Sequence, residues 1–488
     1  MSAKLSLIAA DFFERPVKLR LPFRFGVVTL REAPQVFVRA QIKLADGRQG
    51  EGVSAELLAP KWFDKSANLT NEDNFDQLRR SLTMARSALL AAGRNTPFGL
   101  SAAVDGPHHD ACAKVGLNGL VASFGLALLD RAIIDALGRL EGASVFALVK
   151  DNRLGLDATT ATDLAGFDFG KLLASLKPAQ SIHARHTVGL VDALTRAETN
   201  GQRIDDGLPE SLEEVVATYG HRFFKLKVSG HLDADLERLT RIAGVLDTIR
   251  DPFQISLDGN EQYDDVEQTT ALWEAMEAEP ALQRLCASTL FVEQPIKRQV
   301  ALARSVQPLA RFRPVIIDES DGDLDAFVRA RSLGYTGVSS KNCKGFYKSL
   351  INLARCRVWN AAGEGGYFMS GEDLTTQAGL SVQQDLALVS LLGLSHVERN
   401  GHHFIDGFAG RPAAETEAFL AAHPDLYHRQ RGRVRLHIEG GLLHIGSLEC
   451  AGFGTPVTPD LSATAPMPKA AWPPAAGAGP NGLGQAQS

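Results

Sequence analysis

The stretches FQISLDGN (253–260), TLFVEQP (289–295) and PVIIDES (314–320) decide the fold. Each is a short run rich in β-branched and aromatic residues that closes on an acid: Asp258 after ISL, Glu293 after LFV, Asp318 after VII. Runs of this length, bounded by Gly, Pro and polar residues, read as buried strands with the acid at the C-terminal end. Outward from them the same cadence of strand, polar break and amphipathic helix recurs from about residue 172 to 400. IHARHTVGLV (182–191) and FFKLKV (223–228) precede; GVSSKN (337–342), GYFMSGE (366–372) and LSHVERN (394–400) follow. Between them, stretches such as DADLERLTRIAGVLDTIR and GLSVQQDLALVSLLG repeat apolar residues every three or four positions, the helical period. Alternating strands and helices imply parallel strands. Eight units, in roughly the length of about 250 residues that a TIM (β/α) barrel needs, predict that barrel within the α/β class. A doubly wound open sheet is the alternative, disfavoured by the count and by the lack of GxGxxG after the first strand.

The flanks read differently. Residues 1–145 predict an α+β domain, with a hairpin around Asp46–Gly47 and a helix over 123–142. A connector, 146–171, leads into the barrel at 172–400. Residues 401–462 contain RVRLHIEGGLLHIGSLE (433–449), which reads as a hairpin returning to the first domain, and the Pro/Gly/Ala-rich 463–488 reads as a disordered tail. A formal net charge of −6 argues against a nucleic-acid or anionic-membrane partner. No run of about 18 apolar residues suggests a membrane span, and the N-terminus lacks a secretory pattern. Five scattered cysteines without CxxC spacing read as reduced thiols in a cytoplasmic protein.

Three consecutive strands that each end in a carboxylate at the C-terminal mouth place those acids where barrel active sites are built. They would repel one another unless they share a cation, and an all-oxygen set suits Mg²⁺ or a similar hard ion. The strand before them carries Lys225 and Lys227, two positions apart and so on one face; the strand after them ends at Lys341. The barrel thus offers an amine on each side of the metal, and clustered cations would depress a lysine pKa toward that of a base. From the loops, Arg24 and Trp62 are candidates to touch the distal end of a substrate, and His186 of the first strand is a candidate for the mouth. His402 and His403 have no partners at a ligand spacing, so no zinc site is read.

At these residues the chain resembles the enolase superfamily, in its muconate-lactonizing-enzyme-like subgroup (the mandelate racemase/muconate lactonizing enzyme family). The matching motifs are KLK (225–227), DGN (258–260), VEQP (292–295), DES (318–320) and SSKNCKG (339–345), with GLALLDRAIIDALGRLEG (125–142) and GGLLHIGSLECAGFG (440–454) at the flanks. The resemblance implies a modified TIM barrel under an α+β capping domain. It implies one Mg²⁺ per site (Mn²⁺ a substitute) on Asp258, Glu293 and Asp318. Lys227 and Lys341 would be acid and base, Lys225 would neutralise charge, and Asn260 and Glu319 would support the ligands. The activity implied is abstraction of the proton α to a substrate carboxylate through a metal-stabilised enediolate, by a racemase, epimerase or cycloisomerase, in a homo-oligomer. The mandelate-racemase subgroup fits less well, because the seventh strand offers Glu372 and Asp373 and no histidine. The alternatives are a dehydratase or lyase of the superfamily (acid-sugar dehydratase or succinylbenzoate-synthase-like), a Schiff-base lysine aldolase, and a non-catalytic barrel. Lys344–Gly345–Phe346 replaces the usual glycine pair, and 60–120 and 150–180 are unusually long, which leaves substrate, stereochemistry and oligomeric state open.

Overall fold

Three antiparallel strands, β1 (Leu5–Phe25), β2 (Val28–Leu44) and β3 (Gln49–Leu57), open the computed structural model, which describes residues 2–199, 201, 203–363 and 365–474. The β2–β3 turn falls where Asp46–Gly47 predicts it, with Gly47 at φ 95°. Three helices cover this sheet region: α1 (Asn71–Ala91), α2 (Pro97–Lys114) and α3 (Gly119–Glu141). The sequence starts them with side-chain caps: Thr70 and Asp73 form a reciprocal capping box for α1, and Asn118 accepts from Val121 N at α3. Gly142, left-handed at φ 63°, ends α3. The predicted helix over 123–142 is therefore present and begins one turn earlier. α3 presses so closely on β3 that a Cβ at Gly52 would lie 2.1 Å from Ala136 N, so only glycine fits there.

Eight parallel strands follow: β4 (Ser181–Val188), β5 (Phe223–Lys227), β6 (Gln254–Asp258), β7 (Thr289–Glu293), β8 (Val315–Ile317), β9 (Gly337–Ser340), β10 (Phe368–Gly371) and β11 (His396–Arg399). Each lies within one of the eight stretches read as strands, apart from the first residue of β4. The barrel closes by parallel pairing of β11 with β4, from His396↔His183 to Arg399↔His186. The modified TIM barrel with an α+β cap is thus the observed fold. No helix among the described residues is long and apolar enough to cross a membrane. The five cysteines are free.

The C-terminal segment departs from expectation. Of the hairpin predicted within 433–449 the turn forms, with Glu439 and Leu442 exchanging backbone hydrogen bonds of 3.1 and 3.0 Å, but the segments on either side of it pair elsewhere. β12 (Tyr427–Gln430) pairs with β13 (Arg433–Leu436), whereas β14 (Leu442–His444) adds antiparallel to the barrel strand β4. The return to α3 is made further on, where Phe453 N donates to Asp135 Oδ1 at 2.7 Å and Arg139 donates to Thr455 O at 2.9 Å. The reading of 463–488 as disordered is corrected for its first part: β15 (Ala465–Pro466) pairs with β1, and Trp472 Nε1 donates to Val115 O at 2.9 Å. Composition misled because a few anchoring side chains outweigh many small ones. Residues 475–488 lie outside the described residues.

Candidate active site

Strand register brings the acids and amines together. Lys227 pairs with Asp258, and Asp258 with Glu293, so three charged side chains stand level at the C-terminal ends of β5, β6 and β7. Asp318 follows the end of β8, and Lys341 follows β9. Asp258, Glu293 and Asp318 are each no more than 1% exposed.

The lysines occupy distinct positions. Lys225 Nζ sits among four carboxylates: Asp258 at 2.8 Å, Glu293 at 2.9 Å, Glu372 at 2.8 Å and Glu398 at 3.2 Å. Burial opposes its charge, but these acids outweigh burial and hold the ammonium well above the ordinary lysine range. Lys227 Nζ is 2.6 Å from Asp258 Oδ2. Lys341 Nζ is 2.6 Å from Asp318 Oδ2 and lies 4.2 Å from the centre of the Trp62 ring. Burial works against the Lys341 charge too, yet Asp318 raises its pKa overall. The expectation that clustered cations depress these amines is therefore corrected for Lys225 and Lys341: carboxylates, not other lysines, are their nearest neighbours. Lys344 also reaches Asp318 at 3.4 Å, but it is tied to Asp321 at 3.1 Å and to Ser339 Oγ at 2.7 Å.

The acids are crowded. Burial, then Asp258 and Glu372, push the Glu293 carboxyl well above the usual carboxylate range. Burial also raises Asp258 and Asp318, but the adjacent lysines prevail and hold both below that range. Glu319 Oε2 and Asn260 Oδ1 are buried acceptors without a hydrogen-bond donor among the described residues. An oxygen-only donor set, with unsatisfied acceptors and a carboxyl short of positive charge, fits a hard divalent cation on Asp258, Glu293 and Asp318. Asn260 Nδ2 donates to Glu319 Oε1 at 3.1 Å, and its backbone N donates to Asp258 Oδ1 at 2.8 Å, which orients that carboxylate.

A small cavity of about 30 Å³ lies between Lys227, Lys341, Asn260 and Glu398 below and Phe23, Phe25 and Trp62 above. The long β1–β2 hairpin carries Phe23 to the barrel, where its ring lies 4.3 Å from that of Phe404. Trp62 is thus in the roof. Arg24 is not: it is exposed, and its neighbours Phe23 and Phe25 face the cavity instead. Nor does His186 enter the mouth. The residues on either side of it, Arg185 and Thr187, point inward, Arg185 onto Glu372 and Thr187 onto Glu398 Oε1 at 2.6 Å. Alternation then turns His186 outward, against His221 and His402. Asp373 lines the cavity and accepts from Asn400 N at 2.8 Å, whereas Glu372 partners Lys225 and Arg185 and makes no bond to Lys341.

Sequence reasoning passed over Glu398, Arg185 and Lys65. Glu398 had a signal, since it stands on the eighth strand in the alternation VER (397–399). Lys65, 2.8 Å from Glu261 and 3.5 Å from Glu319, comes from a loop and had none.

Residues 207–424 match the model of the family described as enolase C-terminal domain-like. No curated protein matches the chain in sequence. Among solved structures, a mandelate racemase/muconate lactonizing protein from Herpetosiphon aurantiacus is similar at 18% identity and TM-score 0.57, covering 92% of this chain and 98% of that one. A dipeptide epimerase from Cytophaga hutchinsonii, complexed with Mg and the dipeptide D-Ala-L-Val, is similar at 16% identity and TM-score 0.56, over 96% and 99%. A muconate lactonizing enzyme from Pseudomonas fluorescens, complexed with muconolactone, is similar at 15% identity and TM-score 0.56, over 94% and 97%. These likenesses establish the shared fold.

Proposed function

We propose, for a chain whose barrel segment belongs to the enolase C-terminal domain-like family, that it is a Mg²⁺-dependent isomerase moving the proton α to a carboxylate. The observation that carries this is the pairing of two lysines with two acids around one cavity: Lys227 on Asp258 and Lys341 on Asp318, both lining it. Asp258, Glu293 and Asp318 would hold the cation. When bound, Mg²⁺ (or Mn²⁺) would supply positive charge that offsets the substrate carboxylate.

The chain's own groups then do the following. Lys227 and Lys341, from the second and sixth barrel strands, approach the substrate α-carbon from different sides. One amine removes the proton and the other ammonium returns one, which is a 1,1-proton transfer if both act on the same carbon. Lys225, locked among its four carboxylates, balances charge below the reacting atoms. Trp62 and the Phe23–Phe25 edge exclude water above Lys341 and shape an apolar distal wall. Racemisation, epimerisation and cycloisomerisation all use this arrangement. A Schiff-base aldolase would leave the acids of β6, β7 and β8 without a role.

The test is α-proton exchange in D₂O with Mg²⁺, followed by NMR over acid sugars, N-acyl amino acids, dipeptides and muconate-type lactones. Wild type is run beside Lys227→Ala and Lys341→Ala. Stereospecific deuterium entry with wild type, lost in each variant for one stereoisomer, is the expected result. Exchange unaffected by both substitutions would refute the assignment of the lysines.

A further inference from the structure

Outside the barrel mouth, four histidines that the proposed reaction does not use gather behind the seam where β11 meets β4. His186 is on β4, His221 lies two residues before β5, and His402 and His403 lie in the short helix Gly401–Phe404 after β11. Each is no more than 6% exposed. One nitrogen from each of His186, His221 and His402 can be chosen so that all lie within 4.8 Å of one another. His186 Nδ1 and His402 Nε2 are already 3.3 Å apart.

The tautomer of His221 is set by its surroundings. Its Nδ1 is 3.0 Å from the Ala184 carbonyl, which can only accept, so Nδ1 carries the hydrogen and Nε2 presents a bare lone pair. That Nε2 is buried and has no hydrogen-bond partner, and neither has Nδ1 of His402. A buried acceptor left unsatisfied is costly unless something binds it. A backbone carbonyl on the far nitrogen is also the usual device that orients a metal-binding imidazole. Burial keeps the group neutral, the form that ligates: it pushes His221 down to about 4, and it holds His186 and His402 well below the ordinary range.

We propose that His186, His221 and His402 form a second metal centre, for an imidazole-preferring divalent cation such as Zn²⁺, clamping the seam of the barrel. Tetrahedral zinc with Zn–N of 2.0–2.1 Å sets its ligand nitrogens about 3.4 Å apart, so the third imidazole need move only on the order of 1 Å. The two centres divide metals by chemistry. The barrel mouth offers only oxygens and suits Mg²⁺; the histidine cluster offers only nitrogens and suits Zn²⁺, Co²⁺ or Ni²⁺. His402 also borders a cavity of about 400 Å³, the side from which a water or anion would reach a fourth position. The ligands come from positions 186, 221 and 402, too far apart for any spacing rule, which is why no zinc site is read from the sequence.

The experiment titrates chelator-stripped full-length protein with Zn²⁺ by calorimetry in a large excess of Mg²⁺, which competes for the oxygen site. Wild type and Asp318→Asn are expected to bind one Zn²⁺ per chain alike. His221→Gln and His402→Gln are expected to bind it at least on the order of 10- to 100-fold more weakly. Absence of a tight Zn²⁺ event in wild type, or wild-type affinity retained by both histidine variants, overturns the proposal, as does loss of the event in Asp318→Asn alone. Should the histidine variants not fold, Co²⁺ added to wild type under the same conditions decides. Intense visible bands of a four-coordinate ion, abolished by Zn²⁺, support the centre; only the weak spectrum of a six-coordinate oxygen site refutes it.

Discussion

Replacing Lys225 by Met keeps most of the side-chain volume and removes the ammonium that four carboxylates share. Deleting one partner of a buried ion pair costs about 3–5 kcal/mol, because a charge is left buried without compensation. The residue is 1% exposed, so solvent does not soften that cost. Unfolding entropy of about 2.1 cal/mol/K per residue gives roughly 1 kcal/mol/K for this chain, so Tm should fall by about 3–5 °C in metal-free buffer. Mg²⁺ at 100 times its Kd stabilises wild type by about 2.7 kcal/mol, or roughly 3 °C. In Lys225→Met the cation also supplies charge that the lysine no longer provides, so the Mg²⁺-induced rise should exceed that of wild type. Differential scanning calorimetry of both proteins, with chelator and with saturating Mg²⁺, checks both numbers. A variant that melts within about 1 °C of wild type without metal would refute the view that Lys225 holds these acids together.

Other outcomes follow from neighbouring features. Trp62→Ala removes the roof over Lys341 and should destabilise by about 3–5 kcal/mol, the usual cost of emptying a buried aromatic site; denaturant melts measure it, and α-proton exchange should slow as water reaches Lys341. Asp130, 4% exposed, is raised to about 8 by burial, against the opposing hydrogen bond from Ser101. Its folded pKa exceeds the unfolded 3.8, so its contribution is full below that value and is lost as pH rises toward 8. Wild-type stability should therefore fall by about 1.4 kcal/mol per pH unit more steeply than that of Asp130→Asn between pH 5 and 8. Equal slopes in melts across that window would contradict this reading of Asp130.

Strand identity was legible because each barrel strand is a short apolar run between breaks, and Asp258, Glu293 and Asp318 were legible because all three end such runs. Direction was not. The alternation along IHARHTV is clear, but which face points inward depends on pairing: Thr187 lies beside Lys225, and Lys225 faces in, so Arg185 and Thr187 face in and His186 faces out. The amines were placed in the right neighbourhood but without all their neighbours: Glu372 and Glu398 also reach Lys225, Glu398 from within its strand rather than from a closing position. Arg24 misled for a related reason. Within LPFRF the phenylalanines, not the cation, turn toward the barrel, because the hairpin packs its apolar side against Phe404.

The short strand Ala465–Pro466, laid along β1, has a consequence for how the chain is made. β1 is synthesised long before the strand that completes its outer edge. While the barrel is being synthesised, β1 is paired on its β2 side but its other edge, at Phe13 and Glu14, is open, and the Phe12 carbonyl waits for the amide of Met467. The capping sheet is therefore finished only after the barrel has been made, and a nascent chain stalled before residue 465 carries an open sheet edge of the kind that recruits other strands.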